Sequence, residues 1–173
     1  MLTTRLELRP NDPRHLLALI EGDEQYEQAA GFKAADGLRD FFVSDEVSAE
    51  WLEQLRSGQS ADAWRFGFAV IERGSNRAIG SAGFKGPPDT EGVVEIAYGI
   101  VSAYQGKGLA TEVAQALVTF ASRHEETRRL RAHTLPETNA SNAVLTKCGF
   151  QFVGDVIDPE DGTVWRWERD PEA

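Results

Sequence analysis

The sequence predicts a single α/β (α+β) domain, residues 1–173, in which helices pack on a mixed sheet. A chain of 173 residues can form one full core but is short for two ordinary domains. Apolar residues make up 41% and charged residues 27%, as is usual for globular proteins. Several antiparallel strand patterns are followed by strand, helix, strand, helix and strand, an order typical of such layered domains.

The N-terminal part is predicted to hold one strand and several short helices. Residues Thr4 to Arg9 alternate in character as a strand does, and Pro10 to Pro13 end it. A helix is expected from about Arg14. The pattern from Gly22 to Ser44 is irregular, so we expect short helical pieces joined by loops. Ser44-Asp45-Glu46 favours another helix start. Apolar residues follow it at helical spacing, at Val47, Trp51, Leu52 and Leu55.

Three strands are predicted in the middle of the chain. Every second position is apolar in a first strand, at Trp64, Phe66, Phe68 and Val70. The turn residues Gly74-Ser75-Asn76 lead into a second strand, Arg77 to Lys85, which makes a hairpin. The loop 86–92 then leads to a third strand, Val93 to Val101.

The C-terminal part alternates between helices and strands. A helix whose apolar face carries Leu109, Val113, Leu117 and Phe120 precedes a strand at Leu130 to Leu135. A second helix, Ser141 to Lys147, is closed by Gly149, which can take the left-handed conformation of a helix end. A terminal strand pair, Phe150 to Gly154 and Thr163 to Glu168, completes the pattern.

Charge and cysteine content narrow the function classes. A net charge of -10 argues against nucleic-acid binding, which depends on cationic side chains, and favours a cationic acceptor. The single cysteine, Cys148, cannot form an internal disulfide, as expected in a reducing compartment. The sequence shows neither a membrane-spanning segment nor a secretory signal, so we expect a cytoplasmic protein without a membrane partner.

A glycine-rich turn from Gln105 to Ala110 leads directly into a helix. Free N–H groups and the positive end of the helix dipole make such a turn suitable for phosphate oxygens. Two familiar phosphate loops do not fit. A Walker loop needs Ser or Thr where Gly108 stands, and a dinucleotide fingerprint needs a small residue where Thr111 stands. The alternative is that both glycines only turn the chain while Lys107 is solvated.

The turn resembles the Gln/Arg-x-x-Gly-x-Gly/Ala pyrophosphate loop of the GNAT superfamily of N-acetyltransferases. Val94 to Ile100 resembles the fourth strand of that superfamily, and Asn139 to Phe150 resembles its later helix and K-x-G-F ending. Thr4 to Arg9 resembles the start of the branch that includes ribosomal-protein-alanine N-acetyltransferases. Together the similar stretches cover most of the chain from Arg77 to Phe152, plus its start.

The resemblance implies a central, mainly antiparallel sheet with helices on both faces. Its fourth and fifth strands, here Val93 to Val101 and Leu130 to Leu135, splay apart, and the pantetheine arm of acetyl-CoA lies in the gap. The backbone of Ile100 and Val101 is expected to bond that arm. The backbone N–H groups of the loop are expected to hold the pyrophosphate, at Gln105, Gly106, Lys107, Gly108, Leu109 and Ala110.

Basic and polar side chains are also expected to contact coenzyme A. Lys107, together with the cluster Arg128, Arg129 and Arg131, could offset the charge of coenzyme A, although that cluster could also be a solvated surface run. Asn139 resembles a family asparagine that contacts the pantetheine, with helix capping as the alternative.

Acetyl transfer requires a neutral amine and a path for its proton. At pH 7, neutralising a lysine amine costs about 4 to 5 kcal/mol, but neutralising an α-amine costs only about 1 to 1.4 kcal/mol. Glu95 resembles a glutamate that acts as the base in some superfamily members, and Ser141 resembles a serine proposed as the acid for the thiolate. The alternative for Glu95 is a carboxylate on a solvated face, and the alternative for Ser141 is a helix cap.

The remaining reactive residues are expected to be structural. His15, His124 and His133 have no metal-ligand spacing, so no metal is expected, and Cys148 is expected to be buried and inert.

We therefore expect an acetyl-CoA-dependent N-acetyltransferase that works by direct attack in a ternary complex. Its acceptor is a primary amine of a protein N-terminus, an amino acid or a small molecule. Residues Gly22 to Ser44 are expected to form part of the acceptor site, and the family suggests a possible homodimer. The alternative function is a coenzyme A-binding sensor or interaction module without catalysis.

Overall fold

Eight strands and seven helices form in the computed structural model, which describes residues 1–44, 47–159 and 161–171. The strands are β1 (Leu6–Pro10), β2 (Lys33–Ala34), β3 (Phe68–Glu72), β4 (Arg77–Phe84), β5 (Val93–Ile100), β6 (Arg129–Thr134), β7 (Gln151–Asp158) and β8 (Gly162–Arg169). The helices are α1 (Pro13–Glu21), α2 (Asp23–Ala30), α3 (Asp40–Val43), α4 (Ala49–Ser57), α5 (Ala63–Phe66), α6 (Leu109–Ser122) and α7 (Ala140–Lys147). No helix in these ranges has the length and apolar character needed to cross a membrane.

The strands form one mixed sheet in the order β1-β3-β4-β5-β6-β8-β7, and β2 pairs with β4 outside that path. The β5–β6 and β2–β4 pairings are parallel, and the remaining pairings are antiparallel. The predicted mixed, mainly antiparallel sheet is confirmed. Because the two-residue β2 intervenes, the predicted fourth and fifth strands are β5 and β6.

Helices cover both faces of the sheet. On one face, the ring of Phe68 in β3 lies 5.3 Å from the ring of Phe120 in α6. Side chains alternate between faces along a strand, so the neighbouring residue Ala69, which is also buried, needs cover on the opposite face. On that opposite face, Phe41 of α3 packs against Gly99 of β5, with a ring carbon 3.1 Å from the position a Cβ would take.

The parallel strands β5 and β6 separate soon after they begin. Their register is limited to Val93 with Arg129, Val94 with Leu130 and Glu95 with Arg131. Beyond Glu95, strand β5 keeps its pairing with β4 but has no strand partner on its other edge in the described chain. The expected splay between these two strands is confirmed.

Short side-chain caps define the N-terminal helices. Asp12 accepts a hydrogen bond from the N–H of Arg14 at 2.9 Å and Pro13 occupies the first helical turn, which begins α1 where a helix was expected. Helix α2 ends at Gly31 in the left-handed conformation. The segment from Gly22 to Ser44 therefore contains the predicted short helical pieces, with α3 as the second.

Two local predictions are wrong in part. Trp64 and Phe66 were expected in a strand but lie in the one-turn α5, because the side chain of Asp62 caps the N–H groups of Trp64 and Arg65. The strand begins only at Phe68. Helix α4 begins after its cap Ser48. Of the predicted start Ser44-Asp45-Glu46, the last two residues lie outside the described residues.

Candidate active site

The loop between β5 and α6 presents a run of free backbone donors. Gly106 and Gly108 have φ angles of 73° and 75°, in the left-handed region that glycine adopts without strain. In the described part of the chain, the N–H groups from Gly106 to Thr111 donate to no protein acceptor. Because they lie at the N-terminus of a 14-residue helix, they form a concave site for an anion.

Side chains hold this loop in place from two sides. The amide nitrogen Nε2 of Gln105 donates to the carbonyl of Ile100 at 2.7 Å. Arg5, from the start of the chain, donates through Nη1 to the carbonyl of Lys107 at 2.7 Å and through Nε to Glu112 at 2.9 Å. Sequence reasoning did not identify Arg5, because its contact with the loop depends on tertiary structure.

The carboxylate of Glu112 in the first turn of α6 is held ionised. Its burial opposes ionisation, but hydrogen bonds from Thr3 and from both the backbone and the side chain of Arg5 outweigh this effect and lower the pKa of Glu112. Glu112 is thereby paired with Arg5, which limits its repulsion of an anion bound at the loop.

A cavity of about 1180 Å³ extends from this loop along β5 to α7. Most of the predicted ligand-binding residues line it, as do Asp36, Asp40 and Phe41 from the irregular N-terminal segment. The predicted residues brought together here are Ile100, Val101, Gln105, Gly106, Gly108, Leu109, Ala110, Asn139 and Ser141. Lys107 lies beside the cavity, with its Nζ donating to the carbonyl of Ala103 at 3.1 Å and lying over the ring of Tyr104.

The backbone of Val101 does not face the gap as expected. Its N–H donates to the carbonyl of Ile79 on β4 at 2.9 Å, and its carbonyl accepts from Tyr104. Backbone groups alternate in direction along a strand, so the N–H of Ile100 points away from β4 into the gap. Ile100 is therefore the residue of this pair whose N–H is available to a ligand.

A second cavity of about 230 Å³ lies at the narrow end of the gap between β5 and β6. Both predicted catalytic residues, Glu95 and Ser141, line it, together with Lys85 and Asp161. It shares four lining residues with the larger cavity, namely Tyr98, His133, Thr134 and Ser141. The two cavities are thus neighbours that meet where the strands separate.

The carboxylate of Glu95 is in contact with two basic side chains, those of Lys85 and His133. The Nζ of Lys85 lies 3.0 Å from Oε1 of Glu95, and Nδ1 of His133 lies 3.1 Å from the same oxygen. No hydrogen bond in the described chain reaches Oε2. Burial acts to lower the pKa of Lys85, but its contact with Glu95 and nearby acidic charges outweigh burial and raise it. Lys85 is therefore cationic beside the carboxylate.

The sequence predicts a structural role for His133, whereas the structure places it in direct contact with Glu95. The parallel register pairs Glu95 with Arg131, so the side chain of His133, two residues farther on, lies on the same face of the sheet. This register could not be read from the sequence, which shows only an isolated histidine.

Asn139 and Ser141 have different local roles. The side chain of Asn139 caps α7 by accepting from the N–H of Asn142 at 3.2 Å, which agrees with the capping alternative for that residue. Ser141 is exposed, lines both cavities, and its hydroxyl makes no hydrogen bond within the described residues. The capping alternative therefore does not apply to Ser141.

The basic cluster is not at the loop. Arg131 contacts Glu168 at 2.8 Å, and Arg129 lies 3.5 Å from the same carboxylate. Arg131 is level with Glu95 on β5, whereas the loop begins beyond Ile100, roughly 16 Å of strand farther on. Arg128, which immediately precedes β6, does not line the large cavity either. This position favours the alternative, a surface run, over a role in offsetting the ligand charge.

Other reactive residues remain apart from these cavities. Cys148 is buried, and burial raises the pKa of its thiol. Among the described residues, no group of three or more His, Cys, Asp or Glu side chains could hold a metal ion.

Residues 5–151 match the family model described as "Acetyltransferase (GNAT) domain". The chain belongs to the GNAT acetyltransferase family. It is an acetyl-CoA-dependent N-acetyltransferase. The GNAT chain is 27% identical over 150 residues to the uncharacterized N-acetyltransferase YjdG of Bacillus subtilis (strain 168), with 86% of this chain and 87% of YjdG covered.

Solved structures of GNAT enzymes have a similar fold. A RimL ribosomal L7/L12 alpha-N-protein acetyltransferase in complex with coenzyme A has a TM-score of 0.66 at 22% identity, over 98% of this chain and 96% of that one. The ribosomal-protein-S5-alanine acetyltransferase of Vibrio fischeri has a TM-score of 0.67 at 14% identity, over 99% and 96% of the two chains. At these identities the similarity concerns the fold.

Proposed function

We propose that this GNAT enzyme transfers the acetyl group of acetyl-CoA to a primary amine by direct attack in a ternary complex. The acceptor is the amine of a protein N-terminus, an amino acid or a small molecule. The observation that carries the proposal is that Glu95 and Ser141 line one small cavity. That cavity adjoins a larger one that ends at the free amides of the glycine loop.

The residues around the larger cavity fit acetyl-CoA. The pyrophosphate binds at the N–H groups of the loop, where six consecutive donors from Gly106 to Thr111 need an acceptor. The pantetheine arm lies along the free edge of β5, where the N–H of Ile100 donates to it. The amide nitrogen of Asn139 remains available to the same arm, since only its oxygen is used in capping. The bound thioester supplies the activated acetyl group.

The proton of the attacking amine passes to Glu95. Its Oε2 is the free oxygen of the carboxylate, because Lys85 and His133 both lie at Oε1. Ser141, on the other side of the gap, donates a proton to the departing sulfur and regains one from solvent, to which it is exposed.

An α-amine is the favoured acceptor within this class. Its neutral form is about 3 kcal/mol more accessible at pH 7 than that of a lysine side chain, so one carboxylate base is sufficient. Asp36 and Asp40 at the large cavity and Asp161 at the small one supply negative charge for a cationic substrate. The same acidic lining supports a role of residues 22–44 in acceptor binding.

Location and assembly are further parts of the proposal. A single cysteine that stays as a buried free thiol supports action in the cytoplasm. We also propose a homodimer, which size-exclusion chromatography with light scattering would test directly.

The test is a panel of amines, amino acids and short peptides assayed for release of free thiol from acetyl-CoA. With a reactive acceptor, Glu95→Gln should lower kcat at least a hundredfold and leave acetyl-CoA binding unchanged, because the amide cannot accept the proton. Glu91→Gln, in the exposed loop before β5, is the matched control and should retain full turnover.

Two results would count against the proposal. Unchanged turnover in Glu95→Gln would remove Glu95 from the mechanism. Binding of acetyl-CoA without turnover of any acceptor would favour the coenzyme A-binding module without catalysis.

A further inference from the structure

A line of three side chains leads from β8 across β6 to Glu95 on β5. Arg166 donates through Nε to Nε2 of His133 at 3.2 Å, and Nδ1 of His133 lies 3.1 Å from Oε1 of Glu95. The antiparallel register places His133 directly opposite Arg166. The side chain of His133 is 9% exposed and that of Glu95 is 18% exposed, so both contacts are largely shielded from water.

The chemistry of arginine fixes the protonation of the imidazole. A guanidinium Nε–H can only donate, so Nε2 of His133 must offer its lone pair and carries no proton. The proton of the neutral ring is then on Nδ1, from which it is donated to Oε1 of Glu95. This tautomer follows from the donor and acceptor roles of the neighbours.

The opposite tautomer would not support the carboxylate. With the proton on Nε2, the lone pair of Nδ1 would face the lone pairs of Glu95 Oε1, and Nε2–H would face the N–H of Arg166. Both contacts would become repulsive. Lys85 would then be the one remaining partner of Glu95 among the described residues, and its flexible ammonium does not define the orientation of a carboxylate.

We propose that Arg166 is a positioning residue for acetyl transfer, which holds His133 in the Nδ1–H tautomer and thereby keeps Oε2 of Glu95 free for the acceptor amine. The inference rests on the proposed role of Glu95 as the base. Arg166 itself touches neither substrate nor the reacting atoms, since its contact is with the far nitrogen of the imidazole.

Other charged groups surround the same line. Lys85 faces Glu95 from β4, and Arg131 and Glu168 form an ion pair beside His133 on the neighbouring strands. These groups do not contact Nε2 of His133, for which Arg166 is the donor in the described structure. Removal of Arg166 therefore acts on Glu95 through the tautomer of His133 and leaves the contact of Lys85 with Glu95 in place.

The first experiment is a nitrogen-15 NMR spectrum of the histidine rings of the unmodified enzyme, with His133 assigned by His133→Gln. The expected result at neutral pH is a protonated Nδ1 and an unprotonated Nε2. A proton on Nε2 overturns the proposal whatever the variants do. This measurement needs no turnover, so it is independent of the proposed function.

The second experiment compares Arg166→Met, Arg166→Lys and the control Arg129→Met, which removes a cation from the same sheet away from Glu95. Arg166→Met should lose the Nδ1–H tautomer and lower kcat roughly tenfold, with KM for acetyl-CoA unchanged. Arg166→Lys, which keeps a hydrogen-bond donor, should recover part of the Nδ1–H population and part of kcat. Arg129→Met should match the unmodified enzyme in both quantities. Circular dichroism is used to check that each variant is folded.

The outcomes separate the two claims. If Glu95→Gln is inactive while Arg166→Met loses the tautomer but keeps kcat, the positioning role of Arg166 is wrong and the base survives. If Glu95→Gln keeps full turnover, the proposed base fails, and the positioning role fails with it. Should Arg166→Met not fold, Arg166→Gln is measured in its place with the same expected directions.

Discussion

The guanidinium of Arg5 donates to the carbonyl oxygen of Lys107 at 2.7 Å, which links the residue just before β1 to the glycine loop across 102 positions of sequence. The same guanidinium is paired with Glu112, one turn into α6. The carbonyl of Lys107 lies in the peptide group that contains the N–H of Gly108. By holding that carbonyl, Arg5 orients a neighbouring donor of the proposed pyrophosphate site before the ligand arrives.

Arg5→Met should therefore weaken coenzyme A binding. The side chain of Arg5 is 46% exposed, so its contacts are screened and we expect a loss of about 1 kcal/mol, or roughly a fivefold increase in Kd. Isothermal titration calorimetry with coenzyme A measures this change. Arg9→Met, four residues farther on in β1 and paired with Glu7, is the control and should bind normally. Equal affinity of the two variants would show that the loop does not need this contact.

Glu112 should contribute stability that depends on pH. Its pKa in the folded protein lies below the ordinary value of 4.5, so the contribution is fully present above that value and is lost as the pH falls through the lowered folded pKa. Glu112→Gln should thus lower the free energy of unfolding by roughly 1 kcal/mol at neutral pH, with a smaller difference at about pH 3. Urea unfolding across this range measures it. Glu50→Gln, in the first turn of α4, is the control.

Local sequence features predicted the loop well. Gly106 and Gly108 adopt the positive φ angles for which glycine is suited, and α6 begins at Leu109, where its apolar face begins. The error at Trp64 and Phe66 is also local. Alternation over a few residues indicates a strand, but the cap at Asp62 turns the same residues into a helical turn. A short alternating pattern therefore predicts a strand only when no helix-capping residue, such as Asp62 here, precedes it.

Contacts between distant segments could not be predicted from periodicity. The pairing of His133 with Glu95 depends on the register of β5 against β6, and the contact of Arg5 with the loop depends on where the first strand lies. The misplacement of the cluster from Arg128 to Arg131 has the same origin. Its composition suits an anion, but Arg129 and Arg131 on β6 pair with Glu168 instead.

The corrected position of that cluster can be tested by charge removal. Lys107→Ala should weaken coenzyme A binding about twofold to fivefold and reduce its dependence on salt, because Lys107 lies within the loop. Arg129→Ala removes the same charge from the start of β6 and should leave both quantities unchanged. Titrations at low and moderate ionic strength measure the two effects. A larger loss of coenzyme A affinity in Arg129→Ala than in Lys107→Ala would show that the basic cluster contributes to ligand binding.

Two glycine substitutions should separate folding from ligand binding. A Cβ on Gly80 would lie 2.3 Å from the carbonyl oxygen of Gly99 in the neighbouring strand, so Gly80→Ala should lower the free energy of unfolding by about 1 to 3 kcal/mol. A Cβ on Gly106 meets no atom within 4 Å, but the φ of 73° is strained for alanine. The exposed loop can relieve that strain by turning its N–H groups away from the anion. Gly106→Ala should therefore remain nearly as stable as the unmodified protein while Kd for coenzyme A increases roughly tenfold. Thermal unfolding and calorimetry on both variants measure the contrast, and unchanged affinity in Gly106→Ala would contradict the assignment of these amides to the pyrophosphate.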